Sequence, residues 1–278
     1  AVLYQIFPDR FSRDGNAIIE KRGAVFHASW QDDPCYYKDP DTKEIVAYDF
    51  FGGNLKGIEK KLDYLKGLGI SVIYLNPVFE SESNHHYDTG DYHKIDPILG
   101  SNEDFSAATI CRLLRSNLIE VLGKEYIDVA KAKGIRIIID GVFSHTGSNS
   151  RYFNREGQYD TIGAFQSPDS PYFEWYNFRN FPYEYESWWN FSTLPDVKET
   201  TPSYMDFIIY DKDSVLHHWM KEGIAGWRLD VIDELPAAFS QSFFAELKKT
   251  DPDAVMIGEV WEDASNKIAY DQRRRYFT

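Results

Sequence analysis

Hydrophobic and polar positions along the chain alternate between short, continuous apolar runs and longer stretches with helical spacing. Apolar runs typical of buried strands occur at residues 2–7, 70–76, 135–139, 224–229 and 254–258. Helical spacing falls between them, at residues 56–67, 120–133, 214–221 and 237–249. Strands that alternate with helices predict an α/β fold whose parallel sheet is covered by helices, either a (β/α) barrel or a doubly wound sheet.

Two long stretches, 10–53 and 141–213, interrupt this alternation and are expected to be loop regions. Loops of this length in a compact domain are usually functional. Fifteen of the forty residues from 152 to 191 are Phe, Tyr or Trp. These rings are expected either to form the core of a small subdomain or to make a platform that stacks against sugar rings, because Tyr and Trp combine an apolar face with a polar group.

Composition and charge narrow the range of functions. The chain has 278 residues and a net charge of −14, which disfavours binding to nucleic acid. No apolar run approaches the roughly 20 residues that span a bilayer, and no signal peptide is recognisable, so we expect no membrane partner. The two cysteines, Cys35 and Cys111, exclude a disulfide framework. Localisation is left open, with the cytoplasm slightly favoured over secretion.

Three of the apolar runs lead into an acidic residue: Asp140, Asp230 and Glu259. In a parallel barrel the carboxyl ends of the strands meet at one mouth, which predicts that these carboxylates converge. A single acid after a strand can equally be a helix cap or a loop residue. Three acids in the same position favour a site.

Two carboxylates that face one bond suit glycoside hydrolysis, in which one attacks and the other donates a proton to the leaving oxygen. Arg228 precedes Asp230 by two residues, so both side chains leave the same face of the strand, and we expect the guanidinium to keep Asp230 ionised. Glu259 has to hold a proton near neutral pH, which predicts a less polar setting.

Six segments resemble the α-amylase family, glycoside hydrolase family 13, and in particular its neopullulanase, cyclomaltodextrinase and amylopullulanase group. They occur in the family's order at 2–11 (VLYQIFPDRF), 73–81 (IYLNPVFES), 83–97 (SNHHYDTGDYHKIDP), 140–145 (DGVFSH), 226–234 (GWRLDVIDE) and 258–263 (GEVWED). The resemblance implies a retaining α-glycosidase that cleaves mainly α-1,4 bonds in starch, pullulan or cyclodextrin-type glucans.

The resemblance also implies roles for individual residues. Asp230 would be the nucleophile and Glu259 the general acid/base, with Arg228 orienting Asp230 and Asp140 as a structural acid. The residues that would contact the sugar are Tyr87, Asp88, His145 and Trp261. No cofactor is required, although a structural calcium ion in the first long loop is implied by Asp14, Asn16 and Asn54, whose side chains offer oxygen ligands.

The number of strands departs from the family pattern. Five strands are recognisable where a complete barrel has eight, and the family's third catalytic acid is absent. We therefore expect a partial (β/α)8 barrel, and an incomplete fragment that is inactive alone and self-associates through its open edge. The expected division is 1–140 as the first part of the barrel, 141–213 as an aromatic-rich insertion after the third strand, and 214–278 as the barrel's continuation. A transglycosylase of the same family and a non-catalytic carbohydrate-binding fragment are the alternatives.

Overall fold

The computed structural model describes residues 1–15, 21–41, 45–105, 134–265, 267–269 and 272–274. Its centre is a parallel sheet of five strands that lie side by side in chain order. These strands are β1 (Leu3–Ile6), β2 (Val72–Leu75), β3 (Arg136–Gly141), β4 (Gly226–Leu229) and β5 (Val255–Gly258). All five strands predicted from apolar runs are therefore confirmed.

Helices connect these strands, as the alternation predicts. They are α1 (Leu55–Lys60), α2 (Leu62–Gly67), α3 (Asn102–Phe105), α4 (Pro202–Met205), α5 (Val215–Lys221) and α6 (Ala237–Thr250). Single turns of 3-10 helix lie at Pro8–Arg10, Phe173–Trp175, Trp188–Asn190 and Ile232–Glu234, and a π-helical turn spans Asp206–Tyr210. The predicted helix at 120–133 lies outside the described residues.

One predicted helix, at 56–67, is divided in two. Lys61 has φ −96° and ψ −2°, so α1 ends there and α2 begins at the next residue. The side chain of Asn54 caps α1 by accepting from the N–H of Gly57, and Ser214 caps α5 in the same way. The apolar spacing continues across the break because both short helices bury the same side, with Ile58, Leu62 and Leu65 in the core.

Short strands lie outside the central sheet. One small sheet has three strands, Ala24–Phe26, Ile45–Phe50 and Tyr36–Lys38. The other short strands form three antiparallel pairs: Phe79–Ser81 with Thr89–Ile95, Phe178–Asn180 with Glu184–Tyr185, and Lys267–Ala269 with Gln272–Arg274. The expectation that 10–53 is only loop is therefore wrong. Two of its three strands have three residues, which is too short to show a period-two pattern.

The central sheet has two different faces. On one face Ile73, Leu75 and Ile139 join a large core that includes Trp219 of α5 and Phe243 of α6. On the other face Val72, Tyr74 and Ile138 form a small cluster with Ile257. Side chains alternate between the two faces of a strand. The polar residues two positions after Tyr74, Ile138 and Ile257 therefore lie on the same face as these residues, on the side away from the helices.

The aromatic-rich stretch contributes rings to the same large core. Tyr152, Phe153, Trp175 and Tyr176 are buried and belong to the cluster that contains the strand residues. These four rings are core side chains, but of the large core that also packs on the central sheet, and the separate subdomain core stays a prediction. The boundaries at 140 and 213 stay a prediction.

The sheet is open at both ends. Within the described ranges β1 pairs only with β2, and β5 pairs only with β4. The parallel strands and the helices between them confirm the α/β class, while the sheet does not close into a barrel. No helix among the described residues has the length and apolar character required to cross a membrane.

Candidate active site

Arg228 lies at the centre of the polar face and contacts all three predicted acids. Its Nη1 atom is 2.8 Å and 3.0 Å from the two carboxylate oxygens of Asp140, and 2.7 Å from Oδ1 of Asp230. Its Nη2 atom is 2.7 Å from Oε1 of Glu259. The predicted convergence of three acids from three neighbouring strands is therefore confirmed.

Strand register produces this arrangement. Arg228 is paired with Asp140 across β3 and β4, and with Ile257 across β4 and β5. Asp230 lies two residues after Arg228, and Glu259 lies two residues after Ile257. Each acid therefore occupies the next position on the same face of the sheet. Because alternate residues share a face, the parallel register alone brings the four charged groups together.

Val231 holds the turn that follows β4 in an unusual conformation. Its backbone has φ 40° and ψ 55°, a left-handed conformation that is unfavourable for a β-branched residue. This turn directs the N–H of Val231 at Oε2 of Glu259, at 3.2 Å. Strained backbone that serves a polar contact is often found at functional sites. No sequence pattern indicated this residue.

Charge and burial together set the protonation of the cluster. Burial raises the pKa of Asp140 to about 6, against the opposing effects of Arg228 and the Tyr74 hydroxyl. Burial and the Asp140 carboxylate raise the pKa of Asp230 to about 8, although Arg228 acts in the opposite direction. Arg228 acts on Asp230 in the expected direction, but one guanidinium is shared by three acids in a buried position, and the net direction of the pKa is upward.

Glu259 has a more polar setting than the sequence predicts. Its side chain is 31% exposed, and its two oxygens contact Arg228 and the N–H of Val231. The expected apolar surroundings of the general acid are not present, because Arg228 reaches Glu259 with the nitrogen that Asp140 and Asp230 leave free.

Tyr74 and Asn76 were not identified from the sequence and both support the cluster. The Tyr74 hydroxyl donates a short hydrogen bond to Asp140. Asn76 donates to the Tyr87 hydroxyl at 3.1 Å, and that hydroxyl is 3.4 Å from Asp140 Oδ2. Tyr87 therefore lies beside the acids, as expected. A period-two pattern in the second strand would have placed Tyr74 and Asn76 on the same face.

His145 is buried and neutral. Burial lowers its pKa to about 4. Its Nε2 atom is 3.1 Å from the carbonyl oxygen of Tyr87, which can only accept, so Nε2 carries the proton. Nδ1 then accepts from the hydroxyl of Ser144 at 3.0 Å. Both ring nitrogens are occupied, and contact with a sugar hydroxyl requires one of these bonds to open.

Asp88 is not part of the Arg228 cluster. Its carboxylate accepts from the backbone N–H groups of Glu82 and Ser83 at 3.1 Å and from the Ser83 hydroxyl. It lines a separate cavity of about 490 Å³, together with Tyr48 and His85. These bonds fix the loop that carries Tyr87, so the Asp88 carboxylate is engaged within that loop.

Trp261 lies at the edge of the site in a group of exposed tryptophans. Its ring is 5.7 Å from that of Trp189 and 6.3 Å from that of Trp188. Both of these rings donate their N–H to Glu234, at 2.7 Å for Trp188 and 3.3 Å for Trp189. Trp261 and Trp189 are more than half exposed. We call Trp188, Trp189 and Trp261 the tryptophan group.

An acidic cavity adjoins the tryptophan group. It has a volume of about 740 Å³ and is lined by Trp188, Trp189, Glu234, Asp196 and Glu199, among others. Burial raises the pKa of Asp196 to about 7 and that of Glu199 to about 8. Neither acid was identified as a site residue from the sequence.

The predicted calcium ligands are engaged with protein groups. Lys60 Nζ lies 2.5 Å from Oδ1 of Asp14. The Asn54 side-chain oxygen accepts from two backbone N–H groups, those of Gly57 at 2.8 Å and Asp14 at 3.2 Å. Asn16 lies outside the described residues. Asp14 and Asn54 in this arrangement do not fit a calcium site, and the calcium ion stays a prediction.

A family model described as "Alpha amylase, catalytic domain" matches residues 5–276. The chain belongs to the alpha-amylase family. The resemblance predicted from the six segments is thereby confirmed, and the central sheet and its acids occupy the matched region. The catalytic domain of this family is a (β/α)8 barrel. The open, five-stranded parallel sheet of this chain is consistent with part of such a barrel.

Relatives of this alpha-amylase family member include enzymes of the expected group. The chain is 42% identical to an amylopullulanase from Thermoanaerobacterium saccharolyticum over 95% of its length and 22% of the relative's. It is 33% identical to neopullulanase 2 from Thermoactinomyces vulgaris over 98% of its length and 40% of the relative's. It therefore spans between about a fifth and two fifths of these relatives.

Solved structures agree with the assignment to the alpha-amylase family. The protein Ttha1563 from Thermus thermophilus is 36% identical and has a TM-score of 0.72, with 95% of this chain and 49% of that chain covered. A cyclic α-maltosyl-(1→6)-maltose hydrolase from Arthrobacter globiformis, in complex with that sugar, is 28% identical with a TM-score of 0.72, with 95% and 51% covered.

Proposed function

We propose that the protein is a retaining glycoside hydrolase that cleaves α-glucosidic bonds, mainly α-1,4, in starch, pullulan or cyclodextrin-type glucans. The observation that carries this proposal is the pair of carboxylates, Asp230 and Glu259, each 2.7 Å from one guanidinium at the carboxyl end of the sheet. Membership of the alpha-amylase family and relatives named amylopullulanase and neopullulanase support it.

In the proposed mechanism Asp230 attacks the anomeric carbon while Glu259 protonates the leaving oxygen. A covalent glycosyl-enzyme forms, and Glu259 then removes a proton from the water that releases the sugar. Glu259 suits proton transfer because its side chain is partly exposed and near the tryptophan group, where a glucan chain would enter. Asp140 stays bound to Arg228 and Tyr74 and holds the guanidinium in place.

Asp230 has to be ionised to attack, although burial and Asp140 raise its pKa to about 8. The Arg228 guanidinium, 2.7 Å from Oδ1 of Asp230, is the group that favours this ionised state.

A fluorinated α-glucosyl donor tests the nucleophile, since it forms a glycosyl-enzyme that breaks down slowly. We expect mass spectrometry to find one sugar on the peptide that contains Asp230, in protein expressed from the complete reading frame. Asp230→Asn should remove the label, while Asp263→Asn, a substitution of an exposed acid in the segment that carries Glu259, should keep it. A label on another carboxylate would refute the assignment.

The 278-residue chain alone provides the second measurement. We expect its turnover of maltooligosaccharides to be absent or very low, because in the described part of the chain β5, which leads into Glu259, is an unpaired edge strand. Robust turnover by this chain would show that five strands suffice and would contradict the expectation of an inactive fragment.

A further inference from the structure

A second group of potential ligands lies in the small three-stranded sheet, apart from the Arg228 cluster. His27 follows the strand Ala24–Phe26, Cys35 precedes the strand Tyr36–Lys38, and Asp49 lies in the strand Ile45–Phe50. One ring nitrogen of His27, the Cys35 sulfur and one carboxylate oxygen of Asp49 all lie within 4.8 Å of one another. Three strands therefore each bring one metal-binding atom to the same point.

One of the three potential ligands is buried, and the other two are partly exposed to solvent. Asp49 is 2% exposed, whereas His27 and Cys35 are partly exposed. The His27 ring stacks on Phe51, with 4.3 Å between ring centroids. The site thus has one fixed carboxylate on its inner side and two ligands at the surface, which leaves a path for an ion to enter.

Hydrogen bonds already orient the ligands. Nε2 of His27 is 2.9 Å from Oδ2 of Asp49, and its other ring nitrogen, Nδ1, is 3.5 Å from a carboxylate oxygen of Asp32. A carboxylate behind a metal-bound imidazole is a recurring feature of zinc sites, because it fixes the ring and its tautomer. Arg10 binds the opposite oxygen, Oδ1 of Asp49, at 3.1 Å. Oδ2 is therefore the oxygen that faces His27.

We propose that His27, Cys35 and Asp49 form a zinc site, with Asp32 orienting His27. Nitrogen, thiolate and carboxylate ligands are those that Zn²⁺ takes in proteins, at about 2.0–2.3 Å. Tetrahedral ligands at these bond lengths are roughly 3.5 Å apart, so the atoms need to move by about 1 Å to close around the ion. A water molecule completes the coordination.

The charge of the ligand set matches this ion. A thiolate and a carboxylate carry two negative charges, and the imidazole is neutral when it binds metal. Binding releases the thiol proton of Cys35 and shifts the imidazole proton of His27 from Nε2 to Nδ1, which faces Asp32. The hydrogen bond between His27 and Asp49 is then replaced by two metal bonds. Calcium fits less well, because it prefers oxygen ligands.

The zinc site would fix the small sheet against the candidate active site. Asn84 donates from its side-chain amide to the backbone oxygen of Asp49 and to Oδ1, both at 2.9 Å. Asn84 belongs to the loop that carries Tyr87. The ion would therefore stabilise the position of this loop without contacting a substrate.

Cobalt binding to the metal-free protein tests the proposal. Co²⁺ bound to a thiolate gives an intense near-ultraviolet absorption that Co²⁺ bound only to nitrogen and oxygen lacks. We expect this band to saturate at one Co²⁺ per chain, to disappear when Zn²⁺ is added, and to be absent in Cys35→Ser. Cys111→Ser is the matched control and should keep the band, since it removes the only other cysteine.

Zinc affinity supplies a second measurement. His27→Gln and Cys35→Ser should each weaken Zn²⁺ binding roughly 100-fold, and Asp32→Asn by about 10–100-fold, as found for groups that orient metal ligands. The proposal is overturned if the metal-free protein gives no saturable thiolate band, or if Cys35→Ser keeps the band and Cys111→Ser loses it. Circular dichroism of each variant checks that the fold is retained.

Discussion

Val231 illustrates how one residue can be important for the site without any pattern in the sequence. It has an unfavourable left-handed backbone, and its N–H contacts the carboxylate of Glu259. Motifs could predict Asp230, Arg228 and Glu259, because the chemistry of these side chains is visible in the sequence. A backbone group has no such identity, so Val231 could be found only from the three-dimensional structure.

Asp230 is the residue for which pH provides the clearest prediction. Its carboxyl ionises near 3.8 in an unfolded chain, whereas its pKa in the folded protein is raised to about 8. Between these values the folded state retains a proton that the unfolded state releases, so this group's contribution to stability falls as pH rises from 4 to 8. Asp230→Asn removes that fall.

We therefore expect Asp230→Asn to be more stable than the parent by about 2 kcal/mol at pH 8, with a difference that shrinks toward zero near pH 4. Thermal unfolding monitored by circular dichroism at a series of pH values measures it. Asp253→Asn, which alters an exposed aspartate, should show no such dependence. A variant less stable than the parent at pH 8 would contradict the inferred penalty.

At the scale of elements, apolar runs predicted the strands better than helical spacing predicted the helices. Each central strand is buried and continuous in sequence, so its pattern is local. The break at Lys61 leaves the apolar spacing intact and could not be seen. The small sheet around Asp49 depends on pairing between residues that are 7 to 24 positions apart in the sequence, which no local pattern encodes.

The beginning of β4 permits a sharp test of close packing between strands. A Cβ atom on Gly226 would lie 1.9 Å from the carbonyl oxygen of Val255, and its φ of 149° is unfavourable for other residues. Gly226→Ala should destabilise the protein by about 2 kcal/mol or more, because β5 has to move. Denaturant unfolding gives the value.

Gly67, at the end of α2, is the matched control. A Cβ atom there would meet nothing within 4 Å. Gly67→Ala should leave stability unchanged or raise it by up to about 1 kcal/mol, because alanine favours a helix. Equal losses in the two variants would mean that the approach of Gly226 to Val255 is not the cause.

For the molecule as a whole, the unpaired edges of the sheet govern the expected behaviour in solution. The sequence predicted an open sheet from the count of five strands, and the central sheet of the described residues has five. Leu3 on β1 and Val255 on β5 are 43% and 37% exposed. Exposed apolar edges favour pairing with another chain. The convergence of the three acids was predictable, because it depends only on the register of neighbouring strands. The sharing of the Arg228 guanidinium among all three acids was not predictable.

We predict that the 278-residue chain self-associates through these edges in a concentration-dependent manner. Leu3→Lys combined with Val255→Lys should shift it toward the monomer, because charged residues on edge strands oppose pairing. Sedimentation velocity measures the distribution. Leu68→Lys changes a leucine next to α2 that is even more exposed, at 53%, and should have no effect. A parent chain that stays monomeric at every concentration would rule out association through the edges.

The single guanidinium of Arg228 has a consequence for every titration of this protein. Neutralising any one of its three partners leaves more of the cation's attraction for the remaining two. Proton uptake is therefore a property of the whole set, and the midpoints seen in a pH–rate profile belong to the set as a unit. Asp140→Asn should displace the midpoint of Asp230 toward lower pH, although Asp140 is not the residue that attacks the sugar.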